Sequence, residues 1–413
     1  MSLNSTPKAD RVHIGIFGKR NAGKSSLINA ITNQDLAIVS AIKGTTTDPV
    51  YKAMEILPLG PVVVIDTPGL DDTGELGELR IEKSFQVLNQ TDIGVLIIDF
   101  GNEVTEIEEK LVRLFIEKKI PYIIVVNKAE EKTDLQLEQV RKMLIAKFSQ
   151  FEEEAGENIL FVSAKNKEGI FELKEFLGKH VIKDNKEQPL VGDLIQANDL
   201  VILVVPIDSA APKGRLILPQ QQVVRDVLDH NGIAVVCQET NLSETIESLG
   251  RRPKIVITDS QVFEKVDKKT SEDIMLTSFS ILFARKKGDL EALVEGARAI
   301  ENLQDGDTVL ISEGCTHHRQ CDDIGTVKLP RWIQNYTKKK LNFEFSSGTG
   351  FPEDFSKYAL VVHCGACMLN EREVMHRIHK TKQQETGITN YGVLIAYIHG
   401  ILERTLSPFK HIV

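Results

Sequence analysis

Short runs of almost unbroken apolar residues alternate with longer stretches in which apolar positions recur every three or four residues. This rhythm runs through most of the chain. The runs at 11–18 (RVHIGIFG), 62–69 (VVVIDTPG), 92–100 (DIGVLIIDF), 121–128 (PYIIVVNK) and 158–164 (NILFVSA) lack the in–out alternation of a half-exposed strand, so they predict parallel strands covered on both faces. Helical stretches at 105–120 and 137–154 lie between some of them. Such alternation predicts an α/β fold with a doubly wound sheet. The rhythm pauses over the polar residues 181–199, resumes at 199–208, 232–239 and 254–260, and resumes again at 307–315 and 357–365. The expected plan is a disordered tail at 1–10, a first α/β domain at 11–181, a linker at 182–198, and two smaller α/β domains with parallel sheets at 199–275 and 276–413.

Length agrees with several domains, since 413 residues exceed what one compact core normally holds. Hydrophobic residues make up 42% and charged residues 26%, and no apolar run approaches the roughly 18 residues of a membrane span. The opening MSLNSTPKAD lacks the apolar core of a signal peptide, so a cytoplasmic protein without a membrane partner is expected. In a reducing compartment its five cysteines, at 237, 315, 321, 364 and 367, read as thiols or metal ligands instead of disulfides. The formal net charge of −9 argues against a nucleic-acid partner, which usually calls for a basic excess.

The sharpest chemistry follows the first apolar run. GKRNAGKS at 18–25 stands where a strand gives way to a helix, the context of a phosphate-binding P-loop. Gly18 and Gly23 allow backbone N–H groups to wrap phosphates, with Asn21, Ala22 and Ser26 in the same wrap. Lys24 meets the β and γ oxygens, and Ser25 can ligate Mg2+. Further along, GTTTD at 44–48 offers a switch threonine, Thr46. DTPG at 66–69 offers Asp66 for Mg2+ and the Gly69 N–H for the γ-phosphate. NKAE at 127–130 supplies Asn127 and Lys128 to frame a purine, and Glu130 to accept from the N1–H and N2–H donors of guanine, which adenine lacks; SAK at 163–165 (Ser163, Ala164, Lys165) completes the base-binding loops. Together they predict a P-loop GTPase domain that binds GTP with Mg2+ and acts through Lys24, Thr46 and Gly69.

These five elements in order resemble the translation-factor-related, Era- and TrmE-like branch of small GTPases over residues 11 to about 180. The usual base motif there ends in aspartate, and the longer Glu130 predicts weaker guanine binding. Leu70 occupies the place of a water-orienting glutamine in Ras-like proteins, so that route is closed. The resemblance implies that Asn21 helps hold K+ beside the phosphates, giving slow, potassium-stimulated hydrolysis; a plain loop-capping role for Asn21 is the alternative. Asp71, Asp72 and Glu75 can orient water or simply be solvated acids.

A GTPase does not need HCGAC at 363–367. Cys315 and the Cys364/Cys367 pair both follow apolar runs, and in a parallel sheet such strand ends share one edge, where open α/β sheets bind ligands. On spacing alone two readings stand level: Zn2+ on the three cysteines with His317 or His363, and a [4Fe–4S] cluster on the three cysteines with one iron open. A thioredoxin-like dithiol is the weakest, since it needs no distant cysteine. The order C-T-H at 315–317, then H-C-x-x-C at 363–367, behind a GTPase, resembles the [FeFe]-hydrogenase maturation GTPases, with TNYG at 389–392 also in keeping. That resemblance implies a [4Fe–4S] cluster on Cys315, Cys364 and Cys367, with His317, His363 or a carboxylate as labile iron ligand. It also implies a transient diiron precursor received from two radical-SAM maturation enzymes and passed to apo-hydrogenase. Cys321 reads as a free thiol, Cys237 as core, and His318, His376 and His379 as surface residues. A homodimer built on residues from about 190 to 275 is expected, because so small a domain buries more apolar surface when paired and similar proteins dimerise there. The rival readings are a potassium-dependent GTPase of tRNA modification or ribosome assembly with a structural zinc domain, and a redox sensor coupled to the GTPase switch.

Overall fold

In the computed structural model the described residues are 6–33, 48–70, 75–151, 155–184, 188–207, 216–314, 323–348 and 350–409. Two compact units divide the chain, Met1–Lys186 and Glu187–Val413. The first holds a six-stranded sheet of β1 (Val12–Gly18), β2 (Val50–Ile56), β3 (Gly60–Asp66), β4 (Ile93–Asp99), β5 (Tyr122–Asn127) and β6 (Ile159–Phe161) in the order β2-β3-β1-β4-β5-β6. Only β2 runs antiparallel to its neighbour. Successive residues serve opposite faces: Val95 and Ile97 enter one core and Leu96 and Ile98 the other, so helices cover both sides and the strand runs must be apolar throughout. The order also sets the site, because β1 and β3 are adjacent and parallel, with Ile16 in register with Asp66.

The second unit holds two parallel four-stranded sheets. One comprises β7 (Leu200–Val204), β8 (Ile233–Cys237), β9 (Ile255–Thr258) and β10 (Met275–Ser278), ordered β10-β9-β7-β8. The other comprises β11 (Thr308–Glu313), β12 (Asn342–Ser347), β13 (Leu360–His363) and β14 (Gly387–Asn390), ordered β12-β11-β13-β14. The second-domain sheet runs on to Ser278, past the boundary that the sequence pattern places at 275. Val201, Leu203 and Ile257 of the first sheet share one hydrophobic core with Leu310, Val361 and Val362 of the second, which is why residues beyond 187 form one unit. The helix Phe279–Lys287 lies in that core, with residues buried around most of its circumference.

Two segments expected to be irregular are partly built in. In the expected tail, Lys8–Asp10 forms a 3-10 turn, Ala9 is buried, and the Lys8 ammonium sits 3.9 Å from the centre of the Tyr51 ring. In the expected linker the helix Ile170–Asp184 reaches into its start, and residues 189–193 are tied down. The Val191 and Gly192 N–H groups donate to Asp226 at 2.7 and 2.8 Å, and the buried Arg285 guanidinium donates to both Asp193 oxygens and to the Pro189 and Leu190 carbonyls. The edge strand β8 is incompletely covered: Ile233 and Val236 are 40% and 45% exposed, and Cys237, expected in the core, is half-buried.

Candidate functional site

The turn between β1 and the helix Lys24–Thr32 passes through left-handed backbone at Asn21 (φ 63°) and Gly23 (φ 95°). Glycine is needed at 23 for a second reason: a Cβ there would lie 2.1 Å from the Asn127 side-chain nitrogen. Asn127 is buried, donates from Nδ2 to the Ala22 carbonyl at 3.0 Å and accepts at Oδ1 from the Ala164 N–H at 3.1 Å. It therefore fastens the phosphate loop to the SAK loop through one N–H and its carbonyl oxygen. Lys24 Nζ donates to the Gly18 and Lys19 carbonyls, both at 2.9 Å, holding the loop in a closed curve.

Opposite the loop, the Ser25 hydroxyl donates to Asp66 Oδ2 at 3.4 Å. Burial raises the Asp66 pKa, against the lowering effect of the Lys24 charge and the Ser25 hydroxyl. A hydroxyl and a half-desolvated carboxylate suit a hard cation such as Mg2+. Thr46 lies outside the described residues. The Leu70 N–H reaches the Gly18 carbonyl at 3.3 Å while its side chain is buried in the core, so it has no means of orienting water. Asp71 and Asp72 are also outside the described residues.

The loop, the DTPG turn and the NKAE and SAK loops line one cavity of about 1040 Å³, near the upper end of small-ligand pockets. Asn21, Gly23, Lys24, Ser25, Ser26, Asp66, Gly69, Asn127, Lys128, Glu130, Ala164 and Lys165 all reach it, while Gly18, Ala22 and Ser163 stand behind it. Lys128, at φ 62°, pairs with Asp99 at 2.5 Å, which leaves its alkyl stem to cover a flat ring. Its own backbone N–H and the Ser163 hydroxyl hold the Glu130 carboxyl below the usual range. The second Glu130 oxygen, Oε2, is shielded from water and has no hydrogen-bond partner. An ionised carboxylate with a spare acceptor is what guanine N1–H and N2–H require. Sequence reasoning missed Asp99, although β4 and β5 align it with Asn127. It also missed Lys167, which lines the cavity and donates to Asn33 Oδ1 at 2.8 Å.

The cysteine turn stands at the matching edge of the last sheet. β11 and β13 are adjacent and parallel, with Ser312 opposite His363, so the arm leading to residue 315 and the Cys364/Cys367 turn emerge side by side. Cys315, His317 and Cys321 lie outside the described residues, and among the described residues no three His, Cys, Asp or Glu side chains gather to hold a metal ion. Cys364 Sγ accepts from the Gly314 and Ala366 N–H groups at 3.1 and 3.4 Å. Left-handed backbone at Ala366 (φ 54°) makes the turn possible. Burial raises both thiol pKa values, that of Cys367 to about 11 with the neighbouring Cys364 adding to the effect. Two buried cations flank the turn, Arg377 and Lys287; Lys287 Nζ donates to the Leu369 carbonyl at 3.1 Å.

His363 has a hydrogen-bond partner at each ring nitrogen. Arg377 Nη1 lies 2.9 Å from Nε2, and Nδ1 lies 2.8 Å from the Cys364 carbonyl. Arginine can only donate, so in this arrangement Nε2 accepts and Nδ1–H donates. Burial, with the Arg377 charge beside it, lowers the His363 pKa to about 3 and keeps the ring neutral.

Comparison with known proteins finds three consecutive matched regions in the chain. Residues 13–128 match the family model of 50S ribosome-binding GTPases, residues 190–288 that of the hydrogen maturase F dimerization domain, and residues 291–408 that of the hydrogen maturase F tetramerization domain. The tRNA modification GTPase MnmE of Desulforamulus reducens is 33% identical over 170 residues, covering 41% of this chain and 34% of that protein. The GTPase Der of Mycoplasmopsis pulmonis is 28% identical over 222 residues, covering 52% and 49%. The chain thus spans between about a third and a half of the length of these curated relatives. Among solved structures, Aquifex aeolicus Era bound to GDP and AlF4− is similar at a TM-score of 0.36 and 18% identity, over 58% of this chain and 98% of that one. No helix among the described residues is long and apolar enough to cross a membrane. With a GTPase domain leading into regions that match the hydrogen maturase F dimerization and tetramerization domains, which together span just over half of the chain, the chain belongs to the hydrogen maturase F family.

Proposed function

We propose that this chain is a GTP-hydrolysing scaffold of [FeFe]-hydrogenase maturation. It carries a [4Fe–4S] cluster on Cys315, Cys364 and Cys367, receives a diiron precursor from two radical-SAM maturation enzymes and hands it to apo-hydrogenase. The observation that carries this reading is the pairing, in one chain, of a phosphate loop facing the unpaired Glu130 oxygen with a cysteine turn beside the arm that leads to Cys315.

In the first unit, backbone N–H groups from Gly18 to Ser26 bind phosphates, and Lys24 exchanges its carbonyl partners for phosphate oxygens. Ser25, Thr46 and Asp66 hold Mg2+, which supplies positive charge to the phosphates. With Leu70 buried, the Gly69 N–H faces the remaining charge, and Asn21 would hold a K+ that adds positive charge beside the phosphates, giving slow, potassium-stimulated turnover. In the second unit the backbone N–H groups on Cys364 and the cations Lys287 and Arg377 suit an anionic, thiolate-bound centre. When bound, the cluster would be held by Cys315, Cys364 and Cys367 and would supply one iron with an exchangeable position for the diiron cargo. His317 or a nearby carboxylate serves as the labile ligand in place of His363. The exposed apolar edge β8 seats the homodimer, since an open strand edge with uncovered apolar side chains favours pairing.

The test loads full-length protein anaerobically with iron and sulfide, then with a synthetic diiron precursor, and adds apo-hydrogenase. Hydrogenase activity that depends on Cys315, Cys364 and Cys367 is expected. A colourless protein holding zinc, with no transfer, would favour the tRNA or ribosome reading.

A further inference from the structure

Arg377 is the largest side chain withdrawn from solvent in the described residues, 1% exposed, and all three faces of its guanidinium are used. Nε donates to Glu373 Oε1 at 2.8 Å, Nη1 to His363 Nε2 at 2.9 Å, and Nη2 to the Gly348 carbonyl at 2.7 Å. Its carbon lies 4.8 Å from the centre of the Phe351 ring. Only one of these partners is charged. A buried arginine that spends two arms on neutral acceptors gains little Coulombic return for its desolvation, and those acceptors sit at the ends of strands β12 and β13. The Gly348 N–H donates to the Glu313 carbonyl at 2.9 Å, at the end of β11 and two residues before Cys315. His363 ends β13 and precedes Cys364. One side chain therefore joins the two arms of the cysteine site, and Gly314 closes the same gap by donating to Cys364 Sγ.

We infer that Arg377 is the positioning residue of the cysteine site, holding the ends of β11 and β13 at a set spacing, and that His363 is its fixed acceptor and not a ligand to iron. The inference rests on the cluster reading of this site and assigns two residues within it. The planar fork explains the choice of arginine: its three directed arms span His363, Gly348 and Glu373 at once, which a lysine ammonium on a flexible stem does less well. With Nε2 held by Arg377 and Nδ1–H held by the Cys364 carbonyl, the imidazole fixes the plane of the peptide that starts the cysteine turn.

The test uses full-length protein, wild type and Arg377→Gln, Arg377→Lys, Glu373→Gln and His363→Gln, with two independent readouts. In metal-free, reduced protein the alkylation rate of Cys364 by iodoacetamide is followed by mass spectrometry. In anaerobically reconstituted protein the rate of cluster loss to a chelator and the EPR spectrum of the reduced state are recorded. Arg377→Gln should raise both rates about tenfold or more, the scale of one lost charge-assisted hydrogen bond. Arg377→Lys should fall in between and Glu373→Gln should change least. His363→Gln, whose side-chain oxygen can still accept from Arg377, should keep the cluster and its g-values. Wild-type alkylation and loss rates in Arg377→Gln overturn the positioning role. An EPR spectrum altered in His363→Gln but unchanged in Arg377→Gln overturns the non-ligand assignment. Should Arg377→Gln not fold, Arg377→Lys and Glu373→Gln make the same comparison, and wild-type rates in both overturn the role. If wild type takes up no iron and sulfide, the cluster reading fails by itself, and alkylation alone supports or overturns the role of Arg377.

Discussion

At the nucleotide site, each functional side chain stands within a few residues of a strand end and is aimed by main-chain geometry: a left-handed glycine, a strand terminus, an asparagine tying one loop to the next. At the cysteine site the aiming is done by side chains from outside the turn, with Lys287 buried on a helix far earlier in the chain and Arg377 buried on the helix that follows the turn. The first kind of site is specified locally and tolerates little change at any single position. The second depends on distributed contacts, so its supporting residues matter nearly as much as its ligands.

The contrast is broken most severely at the ligands themselves. Lys24→Ala should lower GTP turnover by about a hundredfold or more, the scale of removing a main charge-stabilising donor, as measured by phosphate release. Its iron content should remain that of wild type; a parallel loss of iron would show that the two sites are not separate. Cys364→Ser or Cys367→Ser should remove most of the bound iron, while Cys237→Ser, on the edge strand, and Cys321→Ser should retain it. Equal loss in Cys321→Ser and Cys364→Ser, read by iron and sulfide assay, would replace the open-iron arrangement with a closed four-cysteine cluster.

These differences decide what could be read from sequence. The phosphate loop, DTPG and NKAE were legible because each is a short string whose chemistry follows from neighbouring residues, and β1, β3, β4, β5 and β6 of the first sheet were legible because burial on both faces makes them almost continuously apolar, unlike the half-exposed edge strand β2 (VYKAMEI). β12 (NFEFSS) and β14 (GITN) were not, since one is an exposed edge and the other has four residues with little apolar signal. Nothing in the sequence pattern marks Arg377 and Lys287 as buried. Their burial depends on the Gly348 and Leu369 carbonyls as acceptors, which no local pattern reveals, and the Arg377 contacts also occupy His363, which spacing alone offers as a ligand. The shared core of the last two sheets was hidden for a similar reason: apolar periodicity predicts that a face is buried but not what covers it.

Smaller effects sharpen the comparison at the nucleotide site. Glu130→Ala should weaken GDP binding by about 10- to 100-fold, the range for losing a charged hydrogen-bond acceptor, with little change for ADP in a fluorescence titration. Equal loss for both nucleotides would mean that Glu130 only shapes the loop. The slightest change expected is in the response to salt: hydrolysis should run several-fold faster in K+ than in Na+, an order-of-magnitude expectation for one added charge near the phosphates. Asn21→Ala should erase the difference, and equal rates for wild type in the two salts would remove the cation site.

The central claim, that one chain joins a GTPase to a cysteine-bound iron–sulfur cluster, is tested most directly by EPR of the anaerobically purified, dithionite-reduced full-length protein, with iron and sulfide counted in the same sample. The account predicts a brown protein with about four iron and four sulfide per chain, and a reduced-cluster signal that disappears in Cys364→Ser. A colourless, EPR-silent protein carrying about one zinc per chain on the same cysteines would contradict it.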